Sequence, residues 1–211
     1  MDSESDHIVF RNFKEEDTEE LADTISTTWD LDTSCSPRVA KLLSKAYLLE
    51  ALCNQTYNTV AEVDHKPVGI ITGNNIEKNR IPLKYGIQLA ITNIRLCMTA
   101  EGRAARKVFT AIDEKNSQLL EKTHREYKGE ISLFIMDASY RGYGIGKKLF
   151  NAMIRHMKKE NVNSIYLYTD TDCNYKFYDH QGMDCRIEKD YSYEFHNTEY
   201  DMKLFIYDYS A

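Results

Sequence analysis

The 211 residues of this chain predict an α/β fold, a mixed sheet flanked by helices, in a single domain. Three observations support this. An apolar run, residues 131–136, feeds a glycine-rich segment that opens an amphipathic helix. Elements follow in the order strand, helices, hairpin, strand, helix, strand, helix, hairpin. Two aromatic-rich runs, residues 185–195 and 202–207, close the chain as a hairpin.

Residues 7–10 read as a first strand. Lys14-Glu15-Glu16-Asp17 then starts a helix, with acids where the positive end of its dipole favours them. Ser36-Pro37 is an N-cap with proline at the first helical position. Val39, Leu42, Leu43, Ala46, Leu49 and Cys53 trace the apolar stripe of the helix that follows. Residues 57–63 and 68–72 flank Asp64-His65-Lys66-Pro67 as a hairpin. From about residue 74 to 129 the chain is too long for an ordinary loop. Residues 104–127 read as helix and 81–98 as helix in part, so this stretch is a helical insertion between the third and fourth strands.

Composition narrows the function. A net charge of −6 argues against non-specific nucleic-acid binding and is compatible with a cationic substrate such as an amine. Cys35, Cys53, Cys97, Cys173 and Cys185 are odd in number and form no C-x-x-C pair, which predicts free thiols in a reducing compartment and no metal site. The first six residues are acidic where a secretory leader is basic, and no apolar run approaches the ~20 residues of a membrane span. The expectation is a cytoplasmic protein that engages neither membrane nor nucleic acid.

The segment Tyr140-Arg141-Gly142-Tyr143-Gly144-Ile145-Gly146-Lys147-Lys148 has the makings of a phosphate cradle. Its glycines let the backbone approach a ligand closely. The helix it opens, with Leu149, Phe150, Met153, Ile154 and Met157 on one stripe, offers free N–H groups and a positive dipole end. Arg141, Lys147 and Lys148 add charge. Gly142, Gly144 and Gly146 give G-x-G-x-G, which is neither the dinucleotide fingerprint G-x-G-x-x-G nor the P-loop G-x-x-x-x-G-K-[ST]. Arg141, Gly144 and Gly146 do fill [QR]-x-x-G-x-[GA]. After the β-rich run 165–168 comes Asn174-Tyr175-Lys176-Phe177-Tyr178, then Gly182-Met183.

These two segments, in this order, resemble the two signatures of the GNAT N-acetyltransferase superfamily, closely over residues 131–187 and in outline elsewhere. The second signature is N-x-x-x-x-F-Y-x-x-x-G-[FY]. This chain departs from it with a compact N-x-x-F-Y and with Met183 in place of an aromatic, and Ala138 stands where many relatives carry proline. The resemblance implies the acyl-CoA N-acyltransferase fold and transfer of acetyl from acetyl-CoA to a primary amine of a small molecule, peptide or protein. It implies pyrophosphate binding by Arg141, Gly142, Tyr143, Gly144, Ile145, Gly146 and Lys147, and backbone pairing of the pantetheine arm at Ile135 and Met136. Asn174 would contact the CoA chain or, alternatively, cap its helix.

Catalysis then needs a proton donor for the leaving thiolate and a route for the proton of the ammonium. Tyr178 matches the family's general acid, and a phenol with pKa near ~10 holds its proton at neutral pH. Packing of Phe177 and Tyr178 onto the sheet is the alternative. Glu130 matches a glutamate that acts through water in histone-type relatives. Asp137, Asp170 and His180 are further candidates, with His180 in an exposed turn. The helical insertion would sit over the acceptor side or make a dimer contact, so a homodimer stays open. A CoA-sensing module without turnover, or a nucleotide enzyme with Asp170 on a ribose, are the competing readings.

Overall fold

The structure, a computed structural model, describes residues 8–210, so His7 and the acidic residues 1–6 lie outside the described residues. The chain forms β1 (Ile8–Arg11), α1 (Thr18–Thr28), α2 (Leu31–Ser34), α3 (Pro37–Cys53), β2 (Tyr57–Val63) and β3 (Lys66–Asn75). Then come α4 (Leu83–Cys97), α5 (Ala100–Glu121), β4 (Gly129–Met136), α6 (Ile145–Lys159), β5 (Ser164–Asp170), α7 (Lys176–His180), β6 (Asp184–Phe195) and β7 (Thr198–Ser210). One seven-stranded sheet runs β1-β2-β3-β4-β5-β7-β6. Among the described residues β4 and β5 are its one parallel pair, which removes the run of βα units a nucleotide enzyme would need.

Local chemistry explains where these elements begin and end. The β2–β3 turn is Asp64-His65 alone, both left-handed (φ 48° and 67°), the two-residue geometry that follows strand twist. Lys66 and Pro67 therefore belong to β3, and Pro67 sits at a register slip where its missing N–H costs no ladder bond. His196 and Asn197 (φ 50° and 59°) close β6–β7 in the same way. The acids expected to open the first helix form a separate 3-10 turn, Glu15–Asp17. The cause is Arg11, whose guanidinium grips the buried Asp17 carboxylate with two bonds of 2.7 Å. Ser36 precedes Pro37 as expected, but its N–H and hydroxyl both donate to Glu101, tying α3 to α5 instead of capping α3.

Helices cover both faces of the sheet. On one, Leu149, Phe150, Met153 and Met157 of α6 pack on Val63, Ile71 and Ile131. Any side chain at Gly73 would strike Met157 Cε at 2.5 Å, so this glycine sets how closely α6 lies on β3. On the other face Leu21 and Ile25 of α1 and Leu48 and Leu52 of α3 pack on Val60, Ile70, Leu133 and Ile135. The predicted helices between β3 and β4 are present as α4 and α5. Leu119 of α5 rests on Met202, Leu204 and Ile206 of β7.

One irregularity positions the site. Where β3 advances from Thr72 to Gly73, β4 steps back two residues, from Leu133 to Ile131, so Ser132 is an extra residue. Such a bulge bends its strand. Ser132 Oγ donates to Asn54 O at 2.6 Å at the end of α3, anchoring the bend. β4 pairs β5 only through Gly129 and Glu130, and the remaining lengths of the two strands diverge.

Candidate active site

The divergence of β4 and β5 opens a cavity of about 430 Å³. Glu130, Phe134 and Met136 of β4 line it, together with Tyr168 and Asp170 of β5, Asn174, Phe177 and Tyr178 around α7, and Arg141 and Gly146 of the glycine segment. The sequence-predicted site residues therefore converge in large part on one space.

The glycine segment follows from its local chemistry. Asp137 accepts the Ser139 N–H at 2.8 Å and turns the chain off β4. Gly142 (φ 89°) and Gly144 (φ 74°) are left-handed, and open space lies where side chains on them would stand. Gly144 precedes α6, and Lys148 N–H is the first to bond back to its carbonyl, leaving the amides of Ile145, Gly146 and Lys147 without intrahelical partners. The Ile145 side chain is buried in the core, so only its backbone faces outward. Gly146 lies against the end of β4, where a Cβ would stand in ordinary contact with Met136 Cε at 3.4 Å and Phe134 Cζ at 3.6 Å. Arg141, Tyr143 and Lys147 are exposed; Arg141 and Gly146 line the cavity, whereas Gly142, Tyr143, Gly144, Ile145 and Lys147 lie outside its lining.

Strand phase separates the two β4 residues. Asp137 N–H donates to Val68 O at 2.8 Å on β3. Two-residue alternation then turns the backbone of Ile135 to Ile70 on β3, and that of Phe134 and Met136 to the open edge. For backbone contact with a strand-like ligand the geometry therefore favours Met136 and Phe134 over Ile135.

Tyr178 is buried with rings of Phe177 and Tyr207 each 5.6 Å away. Burial, with Cys173 and Asp170 nearby, pushes its phenol well above the usual range, so it stays protonated. Asn174 is exposed on the cavity; its carbonyl, not its side chain, closes the first turn into α7 by accepting Phe177 N–H at 3.1 Å. His180 is exposed and bonds Lys176 O of its own helix. Asp170 accepts the amides of Asp172 and Cys173, at 3.0 and 3.1 Å.

Glu130 opens β4 opposite Asn74, whose side chain bonds it. Burial raises its carboxyl to about 7 against that bond, helped by the charge of Glu50. Glu50 of α3 and Asp113 of α5 line the same cavity; both side chains keep solvent contact at its mouth, and partial desolvation by the surrounding walls raises them, Asp113 to about 6. Asp170 and Asp172 are raised as well. Sequence reasoning named Glu130 and Asp170 of this carboxylate wall but missed Glu50, Asp113 and Asp172, along with Trp29, which lines the cavity beside Tyr47 at 5.1 Å between ring centroids. The signal available was the face of α5 running through Ala105, Phe109 and Ile112, into which Asp113 and Asn116 intrude.

Residues 25–183 match the model of the acetyltransferase (GNAT) family. The chain belongs to that family, whose members are acetyltransferases that use acetyl-CoA. The fold is similar to that of Ard1 from Thermoplasma volcanium, with TM-score 0.56 and 16% identity over 96% of this chain and 97% of that one. It is similar to PH1933 from Pyrococcus horikoshii OT3, with TM-score 0.56 and 16% identity over 97% and 99%. An N-acetyltransferase from Staphylococcus aureus Mu50 gives TM-score 0.53 and 16% identity over 97% and 98%. At these identities the likeness is one of fold. No curated protein sequence matches the chain. Among the described residues no helix is long and apolar enough to cross a membrane, and no cluster of metal-ligating side chains is present.

Proposed function

We propose that this protein transfers acetyl from acetyl-CoA to a primary amine that enters its cavity as a cation. The single observation that carries this is the meeting, in one cavity, of a protonated buried tyrosine, Tyr178, with a carboxyl poised near neutrality, Glu130. Residues 1–211 act as one domain in this reading, with about 74–129 as its helical insertion.

The chain's features fit acetyl-CoA. Open space at Gly142 and Gly144, the unpaired amides opening α6, and the charges of Arg141 and Lys147 suit a pyrophosphate. The open edge of β4 at Phe134 and Met136 suits the amides of the pantetheine arm. Asn174, on the cavity wall, would meet the same arm. When bound, acetyl-CoA supplies an activated acetyl group as a thioester.

Glu130 accepts a proton from the ammonium, directly or through water, and frees a nitrogen lone pair. With acetyl-CoA bound, Tyr178 would give its proton to the departing sulfur as the N–C bond forms and the C–S bond breaks, and the second proton shed by the acylated nitrogen would restore the phenol through water. The carboxylates of Glu50, Asp113 and Asp170 favour a cationic acceptor over a neutral or acidic one. α5 supplies part of the acceptor wall through Phe109, Ile112 and Asp113. Release of free CoA thiol, followed with matched cationic, neutral and acidic primary amines, tests this reading. Turnover confined to the cationic amines is the expected result; release with none of them, or equally with all, would refute it.

A further inference from the structure

α4 contributes nothing to the cavity, yet it carries a long apolar face turned to solvent. Its inner residues Thr92 and Leu96 are buried, where the helix packs on α3 and α5. On the outer side Leu83, Ile87, Ile91, Ile94 and Met98 are each 45% to 78% exposed, and Ala90 is exposed among them. Ile76 and Ile81 are exposed just before the helix and extend the patch. Large side chains exposed to this extent offer on the order of 100 Å² each. The set then approaches the ~800 Å² that each partner gives to a standard interface, and exceeds the usual largest patch of a monomer.

The order of residues along this face names the occupant. From Leu83 through Ile87, Ala90, Ile91 and Ile94 to Met98 the steps are 4, 3, 1, 3 and 4 residues, the same read from either end. A two-fold axis crossing the helix between Ala90 and Ile91 would set Leu83 of one copy beside Met98 of the other. It would likewise set Ile87 beside Ile94 and the small Ala90 beside Ile91. Self-complementarity of this kind is what an isologous interface requires. We infer that the exposed face of α4 pairs antiparallel with α4 of a second copy of this chain, making the protein a homodimer.

Gly86 points the same way by a separate route. A glycine inside a helix is destabilising by up to ~1 kcal/mol against alanine. Within the protomer nothing calls for it: a Cβ there would meet only Ile81 Cγ2, at an ordinary 3.5 Å. Gly86 lies as far from the midpoint of the stripe as Arg95 does on the other side. In the pair, each glycine leaves room for the long Arg95 side chain of the other copy. α4 itself carries no acidic residue, and Lys84 is engaged by Glu15 of its own chain, so no like-charged acid faces its twin across the axis.

Sedimentation equilibrium of the full chain tests this directly. The expected mass is twice the 24.6 kDa of one chain, and Ile87→Glu with Ile94→Glu should return it to one chain, raising the dissociation constant about 100-fold or more. Both residues are exposed, so the thermal unfolding of the separated protomer should stay cooperative. Should that variant fail to fold, Ala90→Glu at the midpoint gives the same readout. A wild-type chain of single mass at about 100 µM, or a dimer that survives both variants, would overturn the inference. So would a single-mass chain that floats with phosphatidylcholine vesicles, which would assign the face to a lipid surface. None of these outcomes touches acetyl transfer.

Discussion

Glu50 on α3 raises the proton affinity of Glu130 on β4 across the cavity. Burial of Glu130 is the larger cause, and the like charge of Glu50 adds to it, so Glu130 holds its proton up to about 7. A base works when unprotonated, so kcat/KM should rise through a limb near pH 7. Glu130→Gln should remove that limb and lower kcat/KM by about 100-fold or more above it. Glu50→Gln should move the limb to lower pH, because the repelling charge is gone. A pH–rate profile of the three proteins checks each outcome.

The same groups set a sign for stability. Glu130 at about 7 and Asp113 at about 6 lie above the ordinary 4.5 and 3.8, so the folded state holds protons that the unfolded state releases. Their contribution is most favourable at low pH and declines as pH rises from about 4 through 7. Glu130→Gln should therefore be more stable than wild type at pH 8, by on the order of 1–2 kcal/mol, and nearly equal to it at pH 5. Urea unfolding at the two pH values measures this.

Tyr178→Phe deletes one hydroxyl and keeps the ring that packs on Phe177 and Tyr207. It should lower kcat about 100-fold with little change in KM for acetyl-CoA, since the proton is transferred only as the C–S bond breaks. Packing alone would show instead as lost thermal stability with kcat retained, which melting curves beside the kinetics distinguish.

At the cradle, Gly144→Asp forces a side chain into φ 74°, at a backbone strain of roughly 1–2 kcal/mol, and sets an anion where the pyrophosphate belongs. The affinity for acetyl-CoA should fall about 10-fold or more, and Arg141→Ala should weaken binding in the same direction. Fluorescence or calorimetric titration of both variants decides.

Away from the site, Asp17 is buried and accepts from Arg11 and from the Lys14 amide. Asp17→Ala leaves the Arg11 guanidinium with Glu62 as its one remaining carboxylate partner and should destabilise the fold by about 3 kcal/mol. Thermal unfolding gives the value.

What the sequence reveals of this protein follows from how local each feature is. The glycine segment, its helix and Phe177-Tyr178 are contiguous, so their spacing alone carries the reading. The carboxylate wall is assembled from α3, α5 and β4, and on their own helices Glu50 and Asp113 look like solvated positions. Both stay exposed, and only the packing of α3 and α5 beside the sheet places them on the wall of the cavity. The phase of β4 is equally hidden: that Met136 rather than Ile135 faces the opening depends on which β4 residues bond to β3, and the bulge at Ser132 shifts that count. Asp17 shows the reverse case, in which a helix-start pattern yields to one arginine.

The central claim is that this cavity binds acetyl-CoA for chemistry at Tyr178. Calorimetric titration of the wild-type chain with acetyl-CoA tests it most directly, with Gly144→Asp and Tyr178→Phe titrated in parallel. The account predicts micromolar binding to wild type and to Tyr178→Phe, and its loss in Gly144→Asp. Absence of binding to wild type, or binding that Gly144→Asp leaves intact, would contradict it.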